Sequence, residues 1–131
     1  MSTGIHFLAL LGLCAAYLQG GMVKLRDFDG AIDEMRQYGL PMPRVLAGLV
    51  ILVELGGSAL ILSGYLRWAG ASILALYTLT ATMIANRFWV LSGGERFKVE
   101  NSFFEHFGLT GGLVLVALQD WVASARSLSV H

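Results

Sequence analysis

Apolar residues fall into four long runs separated by short polar segments, and those runs predict four membrane-spanning helices. They cover residues of about 5–23, 44–66, 68–89 and 103–122, each close to the roughly 20 residues that a helix needs to cross hydrocarbon. Spans two and three are joined only through Gly64, Tyr65, Leu66 and Arg67, which forces a tight helical hairpin. Residues 27–39 show a different pattern. Phe28, Ile32, Met35 and Tyr38 recur at helical spacing, and Asp29, Asp33, Glu34 and Arg36 take the opposite face. With Asp27 or Asp29 as a cap and Gly39 and Pro41 as a stop, this segment reads as a short amphipathic helix in the membrane interface or as a solvated connector. Residues 92–101 read as a polar loop. The pattern predicts an all-α, integral membrane four-helix bundle forming a single domain over residues 1–131.

Composition agrees with this architecture. Hydrophobic residues make up 56% of the chain, mean hydropathy is +0.66 and charged residues make up 14%, against about 25% in a typical soluble domain. The formal net charge is zero and no basic face exists for nucleic acid to bind. A single cysteine, Cys14, excludes an internal disulfide or a CxxC redox pair. No Lys or Arg precedes the first run, so it is expected to be a retained span and not a cleaved signal. Seven of the nine basic residues, Lys24, Arg26, Arg36, Arg44, Arg87, Arg96 and Lys98, fall on the side of the first and third loops. The positive-inside rule therefore places loops 24–44 and 90–102 in the cytoplasm and both termini outside. Six acidic residues share those loops.

Glu54 stands near the middle of the second span, where insertion-derived scales put the cost of a charge at about 3 kcal/mol. It lies about ten residues, or roughly 15 Å, from the cytoplasmic end of that helix. Lys24 and Arg87 are expected to stay near the surface, out of its reach. Glu54 is then expected to be a neutral acid that donates to a hydroxyl or carbonyl. Tyr17, Ser58, Thr78, Thr82 and Thr110 lie at its depth. It is a candidate proton-exchanging acid in quinone chemistry or transport, or else a buried strut that fixes helix packing.

Four helix ends share one leaflet and bring Gln19, Lys24, Arg44, Asn86, Arg87, Glu105 and His106 to one depth. Phe88, Trp89, Phe103 and Phe104 surround part of this set with aromatic surface, which suits a flat ligand such as a quinone head group. It suits an interfacial aromatic belt equally well. The ligand-binding candidates are therefore Glu54, Gln19, Lys24, Asn86, Arg87, Trp89, Glu105 and His106. Thr78, Thr82 and Asn86 form a polar stripe expected to face inward. Gly12, Ala16 and Gly20, and later Gly108 and Gly112, offer small faces for close helix approach. His6, His106 and His131 are scattered, so no metal site is expected.

Several segments together resemble the DoxX family of small bacterial membrane proteins. They are Gly20-Gly-Met-Val-Lys-Leu25, Tyr38-Gly-Leu-Pro-Met-Pro43, Val53-Glu-Leu-Gly-Gly57, Gly64-Tyr-Leu-Arg67, Phe88-Trp89 and Phe103-Phe-Glu-His-Phe-Gly-Leu-Thr-Gly-Gly112. Their order is collinear from about residue 20 to 120. Many members carry a histidine just before the Phe-Trp pair, where this chain has Asn86 and Arg87. The resemblance implies a four-helix protein of the bacterial inner membrane. It also implies a link to redox complexes, either of the thiosulfate:quinone oxidoreductase kind or in oxidative-stress defence. The leading expectation is a membrane subunit or anchor of such a complex, contacting quinone and other membrane or peripheral redox proteins, with no intrinsic cofactor. The rival expectations are a small-molecule transporter, usually oligomeric, and a non-catalytic scaffold or assembly factor.

Overall fold

The computed structural model describes residues 2–130, with side chains described from residue 4 to residue 126; His131 lies outside the described residues. Five helices follow one another: α1 (Ser2–Arg26), α2 (Phe28–Gln37), α3 (Pro43–Ser63), α4 (Arg67–Ala85) and α5 (Gly93–Val130). A single 3-10 turn, Phe88–Val90, stands between α4 and α5. Helices α1, α3, α4 and α5 are long and apolar enough to cross a membrane, so the chain is a multi-pass membrane protein. They pack as a row in the order α1, α3, α4, α5, and α5 touches α1 only lightly. Leu10, Cys14, Ile61, Ala71, Leu74 and Leu113 form the core of the row.

The turns follow from local chemistry. Asp27 caps α2 by accepting from the Gly30 backbone N–H at 3.1 Å. Pro43 opens α3, where its fixed φ and missing N–H cost nothing. Gly64 closes α3 at φ +80°, a left-handed conformation that glycine adopts without penalty. Arg67 then folds back and its Nε donates to the Ile61 carbonyl at 2.7 Å, satisfying an orphan group at the end of α3. Across the bundle, Asp120 Oδ2 accepts from the Trp68 N–H at 2.9 Å, so a side chain of α5 caps α4. Trp121 packs edge-on against Trp68 with centroids 4.9 Å apart.

Two helix boundaries differ from the sequence expectation. The third span runs from Arg67 to Val90 as expected, but its α-helix stops at Ala85, where Asn86 takes a non-helical backbone, and a 3-10 turn completes it. Residues 93–101, expected as part of a polar loop, are the first turns of α5. The run Glu95, Arg96, Phe97, Lys98 consists largely of good helix formers, and Arg96 faces Glu100 one turn on at 3.8 Å. The 38 residues of α5 run about 57 Å, well beyond a hydrocarbon core of roughly 30 Å.

The feature that places the functional residues is the register of α1 against α3. Gly21 meets Leu55, five residues before α1 ends and twelve after α3 begins. At the helical rise, α1 thus ends about 7.5 Å past this contact while α3 extends about 18 Å beyond it. The difference of about two turns is filled by α2, which folds back over the first half of α3. Its buried face of Ala31, Ile32 and Met35 packs on Ala47, as the amphipathic spacing predicts.

Close approach between α3 and α4 rests on glycine. A methyl group on Gly70 would lie 2.7 Å from the Gly57 carbonyl oxygen and 2.8 Å from Leu60 Cβ, whereas one on Gly12 would meet nothing within 4 Å. Gly70→Ala should therefore cost about 1–3 kcal/mol through overpacking, while Gly12→Ala should leave thermal unfolding in detergent unchanged. Equal melting of the two variants would refute this account of the seam.

Candidate functional site

Glu54 is 3% exposed, and its two carboxylate oxygens have different surroundings. Oε1 accepts from Lys24 Nζ of α1 at 2.8 Å and from the Tyr77 hydroxyl of α4 at 2.9 Å. Oε2 packs against Gly20, where a methyl group would sit only 2.7 Å from it. The expectation that no cation reaches Glu54, leaving it a neutral acid, is thus overturned by the ion pair with Lys24. Counting residues from the helix ends keeps Lys24 near the surface only if α1 and α3 end level. Because α1 ends about two turns short, Lys24 sits much deeper than its place near a helix end suggests. The other hydroxyls at this depth serve elsewhere. Ser58 donates to the Glu54 backbone carbonyl at 2.7 Å. Thr78 donates to the Leu74 carbonyl at 2.7 Å and pairs with the Tyr17 hydroxyl.

Beside this network lies a cavity of about 430 Å³ bounded by α2, α3 and α4, within the usual range for small-molecule sites. Its wall is mostly aliphatic: Leu46, Leu49, Val50 and Val53 from α3, with Ile73, Leu76 and Ile84 from α4. Leu49 and Leu76 are also exposed on the outer surface of the bundle, so the cavity opens sideways toward lipid. Its polar lining consists of Lys24, Glu34, Tyr38 and Tyr77, with Thr80 exposed on α4 one turn after Leu76. Glu54 itself does not line it. Lys24 and Tyr77, both bonded to its Oε1, stand between the carboxylate and the cavity. An ammonium carries three N–H donors, so Lys24 keeps capacity for a ligand after binding Glu54. Burial first, and the charge of Glu34 second, hold the Tyr38 phenol above its ordinary range on the α2 side of the cavity, with Lys24 opposing. Tyr38 is therefore a protonated donor at neutral pH.

Of the residues singled out by sequence, the structure joins Glu54 and Lys24 and places the others apart from the cavity. Gln19 is exposed on α1. Asn86 donates to Thr82 Oγ1 at 2.9 Å, continuing the inward polar stripe on which Thr78 and Thr82 are buried. Arg87 is exposed, and its Nε donates to the Ile84 carbonyl at 3.2 Å. Glu105 is exposed. His106 Nδ1 donates to the Ser102 carbonyl at 2.6 Å, within its own helix. Trp89 belongs to a group of rings that pack on one another, with Phe103 contacting Phe88, Trp89 and Phe107 at centroid distances of 5.2, 5.8 and 4.9 Å. Arg96 lies 5.7 Å over the Phe88 ring. Tyr77 was not singled out by sequence. Its one signal was its place on α4 beside Thr78, a full turn before Ala81, on the side that turns toward α3.

The DoxX family profile matches residues 7–87, well over half of the chain. The chain is also similar to the inner membrane protein YphA of Escherichia coli, 24% identical over 111 residues, which cover 85% of this chain and 79% of that protein. No solved structure matches.

Breaking a buried pair from one side leaves a charge without its partner. Lys24→Met should therefore destabilise the protein by about 3–5 kcal/mol, and Lys24→Met/Glu54→Gln should recover most of that loss. Tyr77→Phe, which removes one hydrogen bond to a charged acceptor, should cost about 1.5–3 kcal/mol. Unfolding in detergent reads all three, and a double variant no more stable than the single one would refute the pairing.

Proposed function

We propose, because the chain belongs to the DoxX family and crosses the inner membrane four times, that it is the membrane subunit of a redox assembly and holds a quinone in the cavity between α2, α3 and α4. The observation that carries this reading is the asymmetry of that cavity. An aliphatic wall open to lipid ends at a side that presents Lys24, Tyr77 and Tyr38. A quinone has matching parts: an apolar tail that travels in the bilayer and a flat head with carbonyl acceptors. Lateral opening past Leu49 and Leu76 lets it enter without crossing water.

The neighbouring network suits the chemistry of such a ligand. Quinone reduction takes up protons and quinol oxidation releases them, while electrons come from a partner protein of the assembly. Lys24, Glu54 and Tyr77 form a hydrogen-bonded set of titratable groups at the cavity wall. Glu34 and Tyr38 lie at its α2 side, toward the surface to which the basic residues assign the cytoplasm.

Binding of decylubiquinone to the protein in nanodiscs tests this. Val53→Trp, which fills the cavity, should abolish binding, and Tyr38→Phe, which removes a hydroxyl donor from the lining, should weaken it by up to about tenfold. Trp89→Ala and His106→Ala should leave it unchanged. The opposite pattern would move the ligand to the aromatic cluster, and absence of binding to the unmodified protein would remove the quinone from the proposal.

A further inference from the structure

We propose that the Lys24–Glu54 pair makes the cavity selective for uncharged head groups, with Glu54 as the specificity-determining residue and Gly20 as the residue that positions it. This rests on the cavity being a ligand site, and it holds for any amphiphile that enters there. The charged groups that face the site are few. Lys24 is the cation that lines it, Glu34 is the acid that lines it on the α2 side, and Glu54 is bonded to Lys24 from behind. Tyr38 and Tyr77 add neutral hydroxyls. Lys24 and Glu54 cancel, so the set carries one net negative charge.

An anionic head group entering this site is repelled by Glu34. It can reach an N–H that Lys24 does not use on Glu54, but the ammonium charge is already matched by a carboxylate that is 3% exposed, so the anion gains no net charge attraction unless that pair is broken. A carbonyl has no such requirement. It takes an N–H that Lys24 does not use on Glu54, and the ion pair stays intact. The consequence matters because anionic phospholipids abound in the surrounding leaflet. A lone lysine in a groove open to lipid would collect them; a lysine already cancelled by Glu54 does not.

Gly20 maintains this state. Its missing side chain is the space that Glu54 Oε2 occupies, since a methyl group there would lie 2.7 Å from the oxygen and 3.4 Å from Lys24 Nζ. The obstructed atom is the free end of a flexible side chain, so Gly20→Ala rotates the carboxylate away and leaves the helices packed. Gly21 is the matched control on the same seam. A methyl group there meets Leu55 Cγ and Cδ2 at 2.7 Å, and Glu54 only at Cβ, 3.4 Å away.

Two long-chain probes of equal length separate charge from shape: an alkyl methyl ketone, and an alkyl sulfonate that stays ionised throughout. In nanodiscs the unmodified protein should bind the ketone at least about tenfold more tightly than the sulfonate. Glu54→Gln keeps an acceptor for Tyr77 and frees Lys24, so sulfonate affinity should rise about tenfold or more and fall again with salt. Lys24→Met/Glu54→Gln should lose that gain. Gly20→Ala should acquire part of it, whereas Gly21→Ala should lower the melting temperature without acquiring any. Equal binding of both probes to the unmodified protein, no gain in Glu54→Gln, or a gain that survives loss of Lys24 would each overturn the selectivity. Gly20→Ala with unchanged preference would overturn the positioning role. If the unmodified protein binds neither probe nor decylubiquinone, the cavity is not a ligand site, and the selectivity falls with that reading.

Discussion

A single carboxylate oxygen, Glu54 Oε1, takes one hydrogen bond from α1 and one from α4 while its own residue sits in α3. Three of the four spans thus converge on one atom in a region where unpaired polar groups are costly. The arrangement is stronger as a constraint than as a source of stability, because a buried ion pair loses to desolvation much of what it gains by attraction. It fixes which face of each helix turns inward and at what height. The cavity wall inherits its polar corner from the same atom, since Lys24 and Tyr77 are both held in place by it. A change at Glu54 is therefore felt in packing and in ligand contact together.

The small residues explain how the helices come close enough for this. Gly20 leaves room for the carboxylate, and Gly57 and Gly70 bring the α3 and α4 backbones together beside it. Gly12, Gly108 and Gly111 meet nothing within 4 Å, so the stripes seen in sequence are only partly used inside the bundle. In a lipid environment, where the hydrophobic effect does not drive helices together, such close contacts carry much of the association.

The four spans, the short amphipathic helix and the hairpin after Gly64 were legible because run length and helical spacing report directly on which faces are buried. The inward stripe of Thr78, Thr82 and Asn86 was legible for the same reason. Lys24 reaching Glu54 was not, because a sequence gives each helix its length but not its vertical offset from a neighbour. That offset is set by Gly21 on Leu55 and by α2 filling the layer above, both contacts between different helices that periodicity cannot rank. Tyr77 was hidden for a related reason: a tyrosine in an apolar helix resembles an interfacial aromatic until its partner is known. The start of α5 at Gly93 was missed because polar helix formers outside the membrane look like loop when hydropathy is the guide.

Among the four spans, α3 is the most apolar, and it is the one that carries the buried acid. The two facts belong together when the chain is made. Lys24 leaves the ribosome thirty residues ahead of Glu54 and can hold its ammonium at the lipid surface on a long stem until its partner arrives. Glu54 has no such reach, so α3 must enter the bilayer before its charge has been matched. The surplus of leucine, valine and isoleucine around it offsets about 3 kcal/mol of insertion cost. The composition of α3 therefore suffices to carry the span into the bilayer without help from the ion pair.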